Sequence, residues 1–390
     1  MTTAIVTRNP LRKSRTWPSV APDVATFHRR MPAYEPSLLF DAPDLADDLG
    51  LGRVLIKAET RRMGLPSFKI LGASWATYRA ICDHVGHEPE PWDNITELAA
   101  EVAHLAPLKL ATATDGNHGR AVAFMARLLG LEAEIFVPAG MSPARIKAME
   151  GEGATVTVID GDYDDAVARS SEEASERCLV ISDTSWPGYE TTPAHVIDGY
   201  STIFAEIDHA IEATGLNQPD IVVAPMGVGA FMAAAVTHYR GEDREPIVIA
   251  GVEPLDANCV QASALAGEPT HVPGPHESIM VGLNCGMPSP IAWPRLAAGV
   301  DWHVAVDDDA ACQAMRDLAD AAVVAGETGA ASLAGLRALL SDRTASNELP
   351  DRANKTALVI VTEGATDASA YRRIVDRGVE SVGRVVTAMR

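Results

Sequence analysis

Short apolar runs alternate along this chain with segments of helical spacing, the pattern of parallel α/β structure. Residues 53–58 read as a strand and 73–85 as a helix. A second strand over 108–114 is stopped by Asp115-Gly116-Asn117, and 118–129 then has helical apolar spacing that ends at Gly130, a good C-terminal cap. The alternation continues with a strand over 133–138, a helix over 143–150 closed by Gly151 and Gly153, a strand over 155–159, a helix over 164–177 and a short strand over 179–182. Next come a helix over 197–214, a strand over 220–224, a glycine loop, a helix from Phe231 and a strand over 247–252. Residues 254–294, rich in Gly, Pro and His, read as long functional loops. Two helices over 310–325 and 329–340 and an apolar strand over 356–361 complete the pattern. The first 30 residues carry Pro10, Pro18 and Pro22 without clear periodicity and read as an arm on the surface or on a partner subunit.

These elements predict an α/β fold of two open, mostly parallel twisted sheets with helices on both faces. The larger domain is expected over 1–107 and 186–390, with 1–30 as the N-terminal arm, and a smaller α/β domain is inserted over 108–185. A length of 390 residues agrees with more than one core, and 47% apolar with 22% charged residues is the balance of a globular enzyme. Charge narrows the function. With 32 Lys and Arg against 53 Asp and Glu the net charge is −21, which repels phosphate backbones, so no nucleic-acid partner is expected. No membrane-length apolar run or secretory signal is visible, so the expected location is the cytoplasm. Cys82, Cys178, Cys259, Cys285 and Cys312 show no metal spacing, so no metal is expected; free thiols fit a reducing compartment, although Cys259 and Cys285 flank one loop-rich segment and could approach each other.

Lys69 lies in Leu-Pro-Ser-Phe-Lys-Ile-Leu-Gly-Ala, a single ammonium among apolar neighbours. Such a setting disfavours the charged form and predicts a lowered pKa, the state in which an amine attacks a carbonyl to form a Schiff base. The bland reading is a stem on an apolar helix face with its head in water. Gly227-Val228-Gly229-Ala230 lies between the apolar strand and a small-residue helix, where converging backbone N–H groups and a helix N-terminus suit an anion. Neither a full G-x-G-x-x-G nor a Walker loop is present, so one phosphate is the better expectation, with a ligand-free tight turn as the alternative. Thr114-Asp115-Gly116-Asn117-His118-Gly119 forms another strand-to-helix turn, at the sheet edge where ligands bind. Asn117 offers a donor and an acceptor, and Asp115 a carboxylate for an ammonium or a proton; a plain Asp-Gly turn with His118 capping or solvated is the competing view.

Ser-Phe-Lys before a Gly, a Gly-Asn-His turn about 45 residues on and a late glycine loop together resemble the pyridoxal-phosphate enzymes of the tryptophan-synthase-β and threonine-dehydratase type, fold type II. Within that group the chain resembles the diaminopropionate ammonia-lyases. Thr114 to Arg120, Asp183-Thr184-Ser185-Trp186-Pro187-Gly188-Tyr189-Glu190 and Gly282-Leu283-Asn284-Cys285-Gly286 carry the resemblance, which spans about residues 25–385. Threonine dehydratases usually have Ser or Ala where Asp115 stands. The family usually reads Gly-Leu-Ala-Cys-Gly-Glu-Pro where this chain has Asn284 and Met287.

The resemblance implies that Lys69 holds pyridoxal 5'-phosphate as a Schiff base, Asn117 meets its phenolic oxygen, Gly227, Val228, Gly229 and Ala230 bind its phosphate, and Thr362 meets its pyridine nitrogen. A hydroxyl there does not enforce a protonated ring, which favours β-elimination over transamination. The implied reaction converts 2,3-diaminopropionate, D or L, to pyruvate and two ammonia through aminoacrylate. In it Lys69 and Asp115 are bases on opposite faces, and Asp183 holds the β-ammonium or assists its departure. Tyr189 and His195 are weaker candidates. The expected partners are an amino-acid substrate and a second copy of the chain in a homodimer. A dehydratase acting on serine, threonine or 3-hydroxyaspartate is the main alternative, and a non-catalytic ligand-binding homologue the second.

Overall fold

A computed structural model describes residues 3–242 and 244–382, and the carboxyl-terminal end of the expected large domain lies outside the described residues. Strands β1 (Ala4–Arg8), β2 (Leu38–Asp41), β3 (Arg53–Ala58), β4 (Lys109–Ala113), β5 (Glu132–Pro138), β6 (Thr155–Ile159), β7 (Cys178–Val180), β8 (Ile221–Pro225), β9 (Val248–Pro254), β10 (Trp302–Val306) and β11 (Thr356–Val361) form two sheets. The chain divides into two compact units. One takes in Met1–Val20, Pro36–Arg61 and Ile203–Arg390, and the other Ala21–Glu35 and Arg62–Thr202.

The first unit carries a seven-stranded sheet in the order β1-β10-β9-β8-β11-β3-β2, parallel except for the edge pairs β1/β10 and β2/β3. Its central strands are apolar without alternation because helices cover both of their faces, and every residue of β8 is buried. Leu333, Leu336 and Leu339 of the helix Glu327–Ser341 share one buried cluster with Val223, Val252, Val304 and Val359. Each such side chain contributes about 1.5–3 kcal/mol by leaving water. The C-terminal ends of the adjacent parallel strands β8 and β11 therefore share one sheet edge, which carries the glycine loop and Thr362.

The second unit carries the parallel sheet β6-β5-β4-β7. Successive residues of β5 point to opposite faces. Phe136 joins Ala166 of the helix Tyr163–Ser171 in one cluster, while Ile135 lies under the helix Asn117–Leu129. That helix approaches the sheet closely at Gly119, where a Cβ would stand 2.3 Å from Thr114 Cγ2 and 2.7 Å from Ile135 Cγ2. All four strands fall within 108–185, and the compact unit also takes in the helices Lys69–Val85, Ile95–Val102 and Thr191–Gly199. Within the segment expected as an arm, β1 pairs with β10 and Asp23–Arg29 is helical.

Four local differences from the sequence reading have physical causes. The helix expected from 73 begins at Lys69, because Gly72 is a packing residue and not a breaker: a Cβ there would meet Tyr200 Cε1 at 2.5 Å and Val196 Cγ1 at 2.8 Å. The helix expected over 197–214 is two helices, Thr191–Gly199 and Ser201–Thr214, joined at Tyr200. The expected loop over 254–294 contains the helix Cys259–Ala266, whose first amides are held by a buried carboxylate, with Glu253 accepting from Val260 N (2.7 Å) and Gln261 N (2.9 Å). Strand β10 went unread because His303 interrupts an apolar run, yet all of its residues are buried. None of the five cysteines is in a disulfide, so Cys259 and Cys285 remain thiols.

Candidate active site

Lys69 is the first residue of its helix, placed there after Ser67, whose hydroxyl accepts Lys69 N at 3.5 Å. Its Nζ lies 2.5 Å from Asp183 Oδ2. Burial works against the ammonium, but the Asp183 carboxylate prevails, with smaller contributions from Tyr200 and Asp115, and the amine is held well above the usual lysine range. The apolar neighbours of Lys69 predicted the opposite direction; a carboxylate 114 residues away reverses it.

Asp183 follows β7 and is itself almost fully buried. Burial opposes its charge, while Lys69 outweighs it and keeps the carboxyl far below the usual carboxylate range. Its Oδ1 accepts from Tyr163 OH at 3.3 Å. The turn around it is anchored by Tyr189, whose hydroxyl donates to Val180 O (2.5 Å) and accepts from Ser182 N (3.1 Å), with Trp186 stacked on the ring at 4.1 Å. Tyr189 therefore shapes the turn through the backbone. His195 lies on the helix Thr191–Gly199, 3.9 Å from Asp198.

The Asp115 turn is shaped by Thr114, whose Oγ1 accepts from Gly116 N (2.9 Å) and Gly119 N (3.0 Å). Gly116 adopts φ +145°, a conformation open to glycine, which lets the chain turn directly into the helix that starts at Asn117. Asp115 and Asn117 are half-buried at this turn, and Arg145 donates to Asp115 O at 3.3 Å. His118 is neither a cap nor solvated. It is buried, donates Nε2–H to Ile181 O at 2.7 Å, and brings Nδ1 to 3.9 Å from Asp183 Oδ2. Burial pushes its pKa down, so the imidazole is neutral with its lone pair on Nδ1. The structure thus brings Lys69 and Asp183 into contact and sets Asp115 within their electrostatic reach.

In the seven-stranded unit, the loop after β8 passes Gly227 and Val228 into Gly229, which sits at φ +93° as the N-cap of the helix Ala230–Tyr239 with no side chain capping it. There is no room for a larger residue. A Cβ on Gly229 would lie 2.3 Å from Leu296 Cδ1, and one on Gly227 would lie 3.0 Å from Gly282 O and 3.1 Å from Cys285 Sγ. The Gly282–Gly286 motif therefore lies against this loop, held by Gly282 N donating to Thr328 Oγ1 at 3.2 Å and Asn284 Nδ2 to Ser278 O at 2.9 Å. Met287 is partly exposed. At the end of β11, Thr362 is buried and its Oγ1 has no hydrogen-bond partner. A buried hydroxyl without a partner is costly unless something meets it.

Taken one unit at a time, these residues suit parts of pyridoxal 5'-phosphate: the seven-stranded unit has an uncapped helix N-terminus and a glycine cradle fit for a phosphate and an orphaned hydroxyl fit for a ring nitrogen, and the other unit has a lysine amine fit for a Schiff base. Residues 31–363 match the family described as pyridoxal-phosphate dependent enzyme. The chain belongs to this family. It is 34% identical over 374 residues to the diaminopropionate ammonia-lyase of Escherichia coli (strain K12), covering 91% of each chain, and 33% identical over 377 residues to that of Salmonella typhimurium, covering 92% of this chain and 93% of the relative. The structure of the Escherichia coli diaminopropionate ammonia lyase in complex with an aminoacrylate-PLP azomethine reaction intermediate is similar at a TM-score of 0.85, with 29% identity over 96% of this chain and 97% of that one. The predicted fold class agrees with this family and with the two sheets observed.

Sequence reasoning missed Tyr163, Tyr200 and the buried role of His118. Tyr163 sits in an acidic run that reads as solvated surface, and Tyr200 in what reads as the interior of one helix. Only the tertiary fold brings them to Asp183 and Lys69. Among the described residues, no cluster of three His, Cys, Asp or Glu side chains could hold a metal ion, and no helix is long and apolar enough to cross a membrane.

Proposed function

We propose that this chain catalyses the α,β-elimination of 2,3-diaminopropionate, D or L, to pyruvate and two ammonia. The observation that carries the reading is the pair of carboxylates, Asp115 and Asp183, acting on one lysine amine, a charge distribution suited to a substrate with two amino groups. The diaminopropionate ammonia-lyases to which the chain is similar support it.

Lys69 is the residue that would bond the cofactor. The amides of Gly227, Val228, Gly229 and Ala230 would hold its phosphate, Asn117 its phenolic oxygen and Thr362 its pyridine nitrogen. When bound, the pyridoxal ring supplies an electron sink for the charge that develops at the substrate Cα. Lys69, once its amine is released, takes the Cα proton on one face, and Asp115 serves the other. Asp183, ionised and beside Lys69, first orients the lysine; a β-ammonium arriving there meets the same carboxylate and is stabilised as it leaves. Tyr163 favours the ionised form of Asp183 by donating to it, while His118 stays neutral beside it. Water then completes hydrolysis to pyruvate and the second ammonia. The same reading makes the enzyme a cytoplasmic homodimer, and sedimentation should give twice the chain mass.

The test is pyruvate release from D- and L-2,3-diaminopropionate, serine and threonine, with ammonia counted. The expected result is two ammonia per pyruvate from the diamino acid. Faster turnover of the hydroxy acids with one ammonia per pyruvate would replace the reading with a dehydratase. Asp115→Asn is expected to lose activity on the D isomer selectively; equal loss on both isomers would remove its role as a face-specific base.

A further inference from the structure

Tyr200 is fully buried at the junction of two helices, a position an aliphatic side chain would fill without a polar atom to satisfy. Its placement follows from two glycines. The helices Lys69–Val85 and Thr191–Gly199 cross so closely that a Cβ on Gly199 would lie 2.4 Å from Leu71 O, and one on Gly72 would lie 2.5 Å from Tyr200 Cε1 and 2.7 Å from Tyr200 Cζ. The phenol ring is thereby pressed against Gly72, one helical turn beyond Lys69, and packs on Phe68 at 4.7 Å between ring centroids. The same Phe68 ring lies under the lysine, with Lys69 Nζ 5.7 Å from its centroid, so the phenol stands near the nitrogen that Asp183 holds at 2.5 Å and favours its charged form.

We propose that Tyr200 is a positioning residue for Lys69, its hydroxyl sharing the lysine nitrogen with Asp183 so that the amine stays aimed at the reacting carbon whenever substrate releases it. A lysine side chain freed from a covalent bond regains the freedom of four rotatable bonds, and a single carboxylate fixes direction poorly because an ammonium is a point charge on a flexible stem. A second oxygen on a rigid ring near the nitrogen reduces that freedom. The tyrosine is suited to this because its ring has no room to move, with Gly72 and Val196 on one side and Phe68 on another. The groups facing the Lys69 nitrogen are then Asp183, Tyr200 and, farther off, Asp115, with Tyr163 and His118 behind Asp183.

The inference rests on Lys69 as the cofactor-bearing lysine and is independent of which amino acid is the substrate. The test uses the Tyr200→Phe holoenzyme. Melting temperature and cofactor content should stay near wild type, kcat should fall about 10- to 100-fold with KM changed little, and the pH midpoint of the visible cofactor absorbance should move to lower pH, because an oxygen near the lysine nitrogen has gone. Unchanged kcat and midpoint would overturn the proposal, as would a kcat loss matched by loss of cofactor. Replacement of Tyr200 by 3-fluorotyrosine keeps the ring packing and changes only the hydroxyl's acidity. A shifted midpoint with normal melting supports the role, and an unshifted one overturns it. The absorbance readout needs no substrate, so it decides on Tyr200 even if the hydroxy acids prove to be the better substrates.

Discussion

Lys69, Asp183, His118, Tyr163 and Tyr200 crowd titratable side chains into one buried patch of the four-stranded unit, whereas the seven-stranded unit offers backbone amides around Gly227–Ala230 and the lone hydroxyl of Thr362. In the first region each group biases the protonation of the next, so deleting one charge shifts its neighbour. In the second the amides and the hydroxyl do not titrate, and the constraint is space: a Cβ on Gly227 or Gly229 meets backbone or a packed side chain. On the proposed reading, chemistry that moves protons and chemistry that holds an anion are built from different materials, and the two should fail in different ways.

Asp183→Asn attacks the charged region and should have the largest effect. Lys69 loses its anionic partner, and kcat is expected to fall by about 100- to 10,000-fold while bound cofactor remains visible by absorbance. Near-normal kcat would show that the ion pair is incidental. A control for pH lies outside both regions at His303, which is buried without a hydrogen-bond partner and pushed by burial from 6.5 to about 4. Its neutral form stabilises the fold above the ordinary histidine range, and that contribution is lost as pH falls through about 4. Wild type should lose on the order of 3 kcal/mol across this interval, and His303→Leu should not, measured by denaturant unfolding at several pH values; a parallel fall in both would place the acid sensitivity elsewhere. Gly229→Val attacks the steric region. At φ +93° with Leu296 Cδ1 2.3 Å from the new Cβ, strain of about 1–3 kcal/mol should appear as about 10- to 100-fold weaker cofactor retention on dialysis. Full retention would show that this loop is not the phosphate cradle. The smallest effect is expected from Thr362→Val, which deletes an unsatisfied hydroxyl: folding stability should hold or rise by about 1 kcal/mol, while cofactor affinity drops a few-fold. A loss of stability without loss of affinity would mean that the hydroxyl serves the fold alone.

The same contrast explains what was legible in the chain. The strands over 155–159 and 356–361 and the helix over 143–150 were readable to the residue, since local apolar period and capping residues specify them. The glycine loop and the Asp115 turn were readable as strand-to-helix turns, because tight turns are made of contiguous residues. Tertiary approach was not readable. Gly72 looks like a breaker until Tyr200 is seen against it, Tyr200 looks like mid-helix until the chain is seen to bend there, and the direction of the Lys69 pKa is hidden in the sequence because Asp183, which follows the edge strand β7, is 114 residues away. Steric demands can be written locally; electrostatic ones depend on who arrives.

All of this rests on Lys69 as the residue that bonds the cofactor. Borohydride reduction of the holoenzyme fixes the cofactor on the lysine that carries it, and peptide mass mapping then locates it. The pyridoxyl group is expected on Lys69 and on no other lysine; recovery on a different lysine, with Lys69 unmodified, would contradict the account.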